Sequence, residues 1–200
     1  MKRRPQFLSK SKLMSARQCP KRLHLEIHRP DLLHFSRGTE TAFAAGHSVG
    51  EVAHDIYGSP DAVVVPFDGG LGHALKKTRR LIGEGPKFPI FEATLQHDGV
   101  LVRIDALLPY RDRWQIVEVK ASTAIKEEHL FDCAIQCWVF RGVGYELQEC
   151  ALAHVDNSYV YDGAGDYNGL LIEEDITEDV DRLADLCLLY TSPSPRDERR

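Results

Sequence analysis

The chain has 200 residues, enough for one compact domain, and its 43% hydrophobic and 28% charged content is ordinary for a globular protein. A run of about eighteen apolar residues is missing, and the basic N-terminus carries no apolar segment. These features argue against a membrane partner and a secretory signal, so we expect a cytoplasmic protein. Five irregularly spaced cysteines argue against a disulfide framework and predict free thiols.

The net charge of −5 is unevenly distributed along the chain. Residues 1–30 carry nine lysines and arginines against one glutamate, whereas residues 173–185 are acidic. A basic arm suits a polyphosphate partner, although a solvated and partly disordered terminus explains the charge as well. We therefore expect a basic N-terminal arm with a first helix over residues 1–30, followed by a domain over residues 31–186.

The helices of the N-terminal half are predicted from apolar spacing and capping residues. A helix over 9–28 can be capped by Ser9 or Ser11 and is stopped by Pro30. A second helix is predicted over about 39–57. Its small residues, among them Gly46 and Gly50, permit close packing against a neighbour. A short strand at 63–65 and a helix at about 70–82 follow.

A period of two then predicts three successive strands, over 89–96, 100–108 and 114–121. Asp98-Gly99 is a strong turn pair between the first two strands, and Arg111-Asp112 can form the next turn. A buried helix over 126–141 and a strand at 151–155 complete the pattern. The fold class is therefore α/β, with a three-stranded antiparallel meander inside a mixed sheet flanked by helices.

The last residues, 187–200, break this pattern with a Ser/Pro-rich stretch. They resemble the translated adapter tails found on environmental gene fragments. We expect a foreign or disordered tail here and a domain truncated after about Leu186.

The two turns set the strand register, and the register places acids in a row. The first turn pairs Glu92 with Asp105, and the second pairs Asp105 with Glu118. The period of two puts Lys120 on the same face as Glu118. Opposed acids normally destabilise a sheet, so a cation is expected between them. The alternative is a chance cluster of surface acids with Lys120 as counter-ion.

Carboxylate oxygens suit Mg²⁺ or Mn²⁺, which keep positions open for a phosphate. In this hypothesis Asp105 and Glu118 bind the metal, which lowers the pKa of a bound water. Lys120 orients or activates that water and offsets the charge that builds on the phosphate. Glu92 is an additional ligand or supports a second ion.

Residues 103–106 (RIDA) and 116–122 (IVEVKAS) resemble the D…ExK signature of the PD-(D/E)XK nuclease superfamily. Residues 136–140 resemble the QxxxY helix motif of its RecB-like branch, with phenylalanine in place of the tyrosine. Residues 18–23 and 46–51 are similar to an uncharacterised bacterial domain family on that branch and, more distantly, to CRISPR-associated RecB-like exonucleases.

The resemblance covers residues 8–155 and implies a restriction-endonuclease-like core. It implies a Mg²⁺- or Mn²⁺-dependent deoxyribonuclease that acts on single strands or ends, with RNA as an alternative substrate, and it adds Gln136 to the site. A satisfied core amide is the other interpretation of Gln136. The alternative function is a nucleic-acid-binding or metal-binding module that keeps the fold without turnover.

Two departures from the family pattern concern ligands. A metal-binding histidine often follows the second-helix glycine by four residues, and here that slot is Gly50, so the fourth ligand is left open. Several relatives hold an iron–sulfur cluster with one early cysteine and three near the C-terminus. Cys19 matches the early cysteine, and we expect a cluster only in a longer chain. An idle thiol is the alternative for Cys19.

Overall fold

The computed structural model describes residues 7–34 and 36–183, which form a mixed α/β structure. The helices are α1 (Lys10–Gln18), α2 (Pro20–His28), α3 (Arg37–Tyr57), α4 (Leu71–Gly83) and α5 (Glu127–Gly142), with a short 3-10 helix at Pro30–Leu32. The strands are β1 (Leu8–Ser9), β2 (Val63–Val64), β3 (Ile90–His97), β4 (Val100–Tyr110), β5 (Arg113–Lys120), β6 (Leu147–Val155) and β7 (Leu171–Asp175). Residues 177–183 are helical.

The seven strands form one sheet in the order β2-β3-β4-β5-β6-β7, and β1 pairs with β4. Strands β3, β4 and β5 make the predicted antiparallel meander, while β2 and β6 run parallel to their neighbours β3 and β5. The predicted α/β fold with a mixed sheet flanked by helices is confirmed. Within the described ranges, no helix is both long and apolar enough to cross a membrane.

The predicted turns and registers of the meander are confirmed. Asp98 and Gly99 alone connect β3 to β4, with φ values of 43° and 76°. Such left-handed values are those of the hairpin turns that Asp-Gly favours. Arg111, with a φ of 58°, and Asp112 connect β4 to β5. Two-residue loops leave little freedom in pairing, so the sequence determined which residues face each other.

The predicted single helix over 9–28 is wrong, because two helices meet at Cys19. The φ and ψ of Cys19 are −165° and 115°, and Pro20 is the first residue of α2. A proline disfavours the helical conformation for the residue before it and has no N–H to donate. The cap prediction holds for α1, where the Ser9 side chain accepts a hydrogen bond from the backbone N–H of Lys12.

Strand β7 was missed by the sequence analysis, which treated residues 173–185 only as an acidic segment. It pairs antiparallel with β6 at the end of the sheet, and four of its five residues are exposed. Acidic side chains on an edge strand discourage pairing with another chain, which explains the composition. The 17 residues from 184 to 200 lie outside the described residues, and with them the predicted tail.

Helices pack on both faces of the sheet. The charged residues of interest lie at a gap between two of its strands. One core contains α4 and α5 residues with β4 and β5 residues such as Ile104 and Ile116. Phe140, at the tyrosine position of the resemblance, is fully buried in this core. Helix α3 contacts β4 and β5 beside a smaller core that includes Phe91 and Val117.

The four described cysteines are free thiols, as predicted. Cys133, Cys137 and Cys150 are buried between α5 and β6, and only Cys19 is exposed. A hydrogen bond with Cys150 and burial raise the pKa of Cys133 well above its ordinary value. Thiols of raised pKa resist ionisation, so this group is part of the packing.

Candidate functional site

The candidate site lies where the hydrogen-bonded pairing between β4 and β5 ends. Their ladder ends at the pair Ala106 and Val117, and the next β5 donor, the N–H of Val119, donates instead to Asp105 Oδ2 at 2.9 Å. Further along the same edge of β4, β1 pairs with residues 100–101. Asp105 therefore fills the gap between β1 and β5, and its carboxylate takes the place of a backbone acceptor.

Four charged side chains beside this gap form a ring of alternating sign. Lys120 Nζ lies 2.5 Å from Glu118 Oε1 and 2.6 Å from Asp132 Oδ2. Lys10 Nζ lies 3.0 Å from the same Glu118 oxygen and 2.9 Å from Asp132 Oδ1. The Glu118 side chain is only 2% exposed, so the interpretation as a chance surface acid does not apply to it.

The ring stabilises the charged forms of Glu118 and its lysines, whereas burial and Glu118 together raise the pKa of Asp132. Burial alone would raise the pKa of Glu118, but the ammonium groups of Lys10 and Lys120 hold it well below its ordinary value. Burial would likewise lower the pKa of Lys120, but Glu118 and Asp132 raise it above its ordinary value. The Lys120 side chain is consequently a persistent ammonium ion, suited to offset negative charge and unsuited to accept a proton.

Gln136 lies at this cluster, where the resemblance places a site residue. Its Nε2 donates to Glu118 Oε2 at 2.6 Å, and the residue is fully buried. Gln136 Oε1 is buried without a hydrogen-bond partner among the described residues. The orientation of the amide follows from the carboxylate, which requires a donor. Its role in a reaction stays a prediction.

Asp105 differs from the ring acids because, among the described residues, no ammonium group forms an ion pair with it. Burial, and then the negative charge of Glu118, raise the pKa of Asp105 from 3.8 to about 7. Burial and Glu118 raise the pKa of Asp132 as well, but two ammonium groups contact that carboxylate. A cation close to Asp105 would lower its pKa.

Asp105 gives the site a pH-dependent stability that can be measured. Between pH about 4 and about 7 the unfolded chain has released this proton and the folded chain retains it, so stability falls as the pH rises. We expect Asp105→Asn, which lacks this ionisation, to gain stability over the parent across that window, by up to about 4 kcal/mol. The measurement is urea unfolding in metal-free buffer from pH 4 to 8; a constant difference between the two proteins would contradict it.

The predicted row of three acids is interrupted at both of its pairs: Glu92 leaves the β3–β4 ladder, and Asp105 and Glu118 lie beyond the end of the β4–β5 ladder. The pairs on either side of Glu92 keep the expected register, but Glu92 itself has a φ of 60°. Its carboxylate lies 2.5 Å from the Arg103 guanidinium, which neutralises it. The structure therefore brings Glu118, Lys120 and Gln136 into contact, places Asp105 at the neighbouring strand gap, and pairs Glu92 with a separate partner.

A pocket of about 140 Å³ lies between this gap and α3. It is lined by Gly46, His47, Gly50, Glu51, Ala53, His54, Phe91, Glu92, Asp105, Ala106 and Val119. The predicted close packing at Gly46 and Gly50 is wrong, because a Cβ added at either position would meet nothing within 4 Å. These glycines instead leave open the space above Asp105.

The donor set of this pocket fits a hard divalent cation. Glu92 and Asp105 line it, and the raised pKa of Asp105 marks the place where positive charge is needed. His54 and Glu51 of α3 line the wall next to the Gly50 slot. In the part of the chain that the structure describes, however, no three His, Cys, Asp or Glu side chains are already grouped as a metal site.

A wider groove of about 630 Å³ opens on the lysine side of the ring. It is lined by Lys10, Ser11, Met14, Ser15, Arg17, Gln18, Arg22, Phe43, Lys120, Glu128, His129 and Asp132. The Arg17 guanidinium lies 3.5 Å from the centre of the Phe131 ring and pairs with Glu127. The groove thus leads from basic residues of α1 and α2 to Lys120.

Sequence reasoning missed Lys10 and Asp132. Asp132 carried a usable signal, because a charged residue within a buried helix must find a partner. Lys10 carried none, because it follows a strand of two residues that is too short for a period to show. The predicted cluster residue Cys19 is exposed at the start of α2, and the other described cysteines lie in the core. An iron–sulfur cluster in a longer chain stays a prediction.

No protein-family profile matches this chain, and no curated protein matches it. Solved structures show a weak overall likeness to it. The protein SSO0001 has a TM-score of 0.46 at 13% identity, over 97% of this chain and 81% of its own. An alkaline exonuclease from Laribacter hongkongensis has a TM-score of 0.46 at 12% identity, over 94% of this chain and 89% of its own.

Proposed function

We propose that this chain is a Mg²⁺- or Mn²⁺-dependent nuclease that hydrolyses phosphodiester bonds of DNA. The observation that carries the proposal is a pair of acids at a strand gap, half-buried Asp105 and buried Glu118, with the Lys120 ammonium 2.5 Å from Glu118. Burying a charge is costly, and a buried carboxylate beside an ammonium at an irregular point of a sheet is typical of a functional site. The preference for single strands or ends follows from the RecB-like resemblance.

Asp105 and Glu118 would hold the metal, with Glu92, which lines the pocket above Asp105, as a further ligand. A bound divalent cation would supply charge stabilisation at the phosphate and lower the pKa of a bound water. It would also lower the raised pKa of the Asp105 carboxyl. Gln136 keeps Glu118 in place through its 2.6 Å hydrogen bond.

Lys120 and Lys10 contribute positive charge that is fixed before the substrate arrives. Their pKa values are raised by Glu118 and Asp132 against the opposing effect of burial, so both side chains keep their protons. Of the two roles predicted for Lys120, this favours charge neutralisation at the phosphate over activation of water by proton removal. Preorganised charge of this kind needs no rearrangement during the reaction.

The groove beside the ring suits a nucleic-acid strand. Arg17 and Arg22 line it together with Lys10 and Lys120, each ion-paired with a carboxylate that a phosphate would have to compete with. Phosphates are bound mainly through lysine and arginine, in contacts that are independent of base sequence. The groove offers a path for the backbone that ends at the acids, although the whole chain has a net charge of −5.

A non-catalytic module that binds nucleic acid or metal is the second candidate. This candidate is favoured because the two carboxylate oxygens of Glu118 already accept hydrogen bonds from Lys10, Lys120 and Gln136. A metal would have to replace a lysine there. This candidate predicts salt-sensitive DNA binding without hydrolysis.

The two candidates are separated by incubating labelled single-stranded, blunt duplex and circular DNA with Mg²⁺ or Mn²⁺, or with EDTA. We expect cleavage by the parent that requires the metal and is lost in Asp105→Asn. The matched control is Asp98→Asn, the same chemical change at an exposed turn. Binding without cleavage by any of the proteins would favour the second candidate, and equal cleavage by parent and Asp105→Asn would remove the first.

A further inference from the structure

Helix α4 presents an exposed face made of basic residues. Its sequence from Leu71 to Gly83 contains no acid and has five basic side chains. These are His73, Lys76, Lys77, Arg79 and Arg80, which together line a groove of about 540 Å³. In a chain with a net charge of −5, such a concentration of one sign on one helix is unusual.

The opposite face of α4 fixes the helix to the sheet. Ala74, Thr78, Leu81 and Ile82 are buried. Thr78 Oγ1 accepts a hydrogen bond of 2.9 Å from the backbone N–H of Thr94 in β3. The helix therefore cannot rotate to hide its basic face, and that face has a fixed geometry.

The described part of the protein does not neutralise the lysines and arginines of α4. Among residues 7–34 and 36–183, no carboxylate forms an ion pair with any lysine or arginine of this helix. Lys77 Nζ donates to the backbone oxygen of Val64, and its charge stays unpaired. Neighbouring like charges on a helix destabilise it, so an external anion would relieve a repulsion that the fold retains.

This surface is distinct from the candidate site. Neither the pocket above Asp105 nor the groove beside Lys120 includes a residue of α4. Helix α4 packs on β3, whereas the acids lie on β4 and β5. A ligand on α4 would consequently contact the protein at a second place.

We propose that the basic face of α4 binds the phosphate backbone of nucleic acid without regard to sequence. The row from His73 to Arg80 extends over about 10 Å of helix, enough for about three successive phosphates of one strand. A membrane surface fits less well, because helices that lie on lipid insert an apolar face. The apolar face of α4 is already buried on the sheet.

This inference goes beyond the proposed cleavage, and it is tested by binding in EDTA, where no metal-dependent cleavage occurs. The triple variant Lys76→Gln/Arg79→Gln/Arg80→Gln removes three exposed charges. The control Arg111→Gln/Arg113→Gln/Arg182→Gln removes three exposed charges elsewhere, with the same change in net charge. Fluorescence anisotropy of labelled duplex DNA gives the binding constant between about 50 and about 200 mM salt.

For the α4 triple variant we expect the slope of log K against log salt to become shallower by about 2 to 3, since each lost phosphate contact contributes about 0.9. The control triple should keep the parent slope. Circular dichroism checks folding, and should the triple variant unfold, Arg80→Gln alone should reduce the slope by about 0.9. Equal slopes for the α4 variant and the parent would overturn the proposal.

Two further measurements, vesicle binding and DNA cleavage by the parent, distinguish the α4 inference from a lipid-binding role and from the proposed nuclease function. Binding of the parent to vesicles of phosphatidylcholine with phosphatidylserine, with no binding to DNA, would overturn the proposal in favour of a lipid surface. An inactive parent whose salt slope still depends on α4 would remove the nuclease function and keep this inference. If the parent cleaves DNA but the α4 variant keeps the parent's salt slope, the nuclease function stands and the α4 inference is overturned.

Discussion

Lys120→Gln is expected to lower the rate of metal-dependent DNA cleavage by about 10²- to 10³-fold, the usual cost of losing one preorganised charge at a reacting group. Lys120 Nζ lies 2.5 Å from Glu118 and 2.6 Å from Asp132, and it lines the groove that we assign to the substrate. Glutamine is polar and only one atom shorter than lysine, but it carries no charge. Lys10 remains to neutralise Glu118, so the fold should survive.

The measurement is the single-turnover cleavage rate at saturating Mg²⁺, with unfolding by urea as a parallel readout. Lys126→Gln is the matched control, because Lys126 lies in front of α5 with its side chain 59% exposed. Its rate should equal that of the parent. A Lys120→Gln protein that is stable and cleaves as fast as the parent would show that this ammonium has no part in the reaction.

Glu118→Ala is expected to destabilise the protein by about 3–5 kcal/mol, because two ammonium groups lose their shared carboxylate in a buried place. Lys10 and Lys120 would then face each other with only Asp132 to neutralise them. For a chain of this length that loss corresponds to a fall in Tm of roughly 6–20 °C. Urea unfolding measures the change, with Glu128→Ala as the control at an exposed α5 position.

A second variant separates charge from cavity effects at Glu118. Lys10→Met combined with Glu118→Leu removes one ion pair and leaves Lys120 with Asp132. Replacing a buried pair by apolar residues of similar size is often neutral, so this protein should be more stable than Glu118→Ala. A loss below about 1 kcal/mol in Glu118→Ala itself would mean that the ring does not stabilise the fold.

The meander could be predicted because its turns are short and chemically distinctive. Asp98-Gly99 and Arg111-Asp112 allow little freedom in pairing, and the period of two then assigns the strands. The break at Cys19 was missed because apolar spacing continues across it, although Pro20 was a visible warning. Strand β1 has two residues and β7 is an exposed edge strand, so neither shows the alternation of a half-buried strand.

The candidate site was predictable only as far as it depends on the meander. The strand register predicts Asp105, Glu118 and Lys120 as site residues, and a motif resemblance predicts Gln136. Lys10 contacts Glu118 across 108 residues of sequence, a separation that no periodic pattern reveals. The pairing of Glu92 with Arg103 was missed because alternation assigns a face and does not identify a side chain's partner.

The central claim is that the acids at the strand gap bind a divalent cation, and Mn²⁺ binding tests it most directly. Electron paramagnetic resonance can count free Mn²⁺ during titration of the parent, Asp105→Asn and the control Asp98→Asn. We predict binding by the parent and the control, and an affinity at least about 10-fold weaker in Asp105→Asn, because ligand charge sets the affinity for hard cations. Equal Mn²⁺ affinity in the parent and Asp105→Asn would contradict the claim.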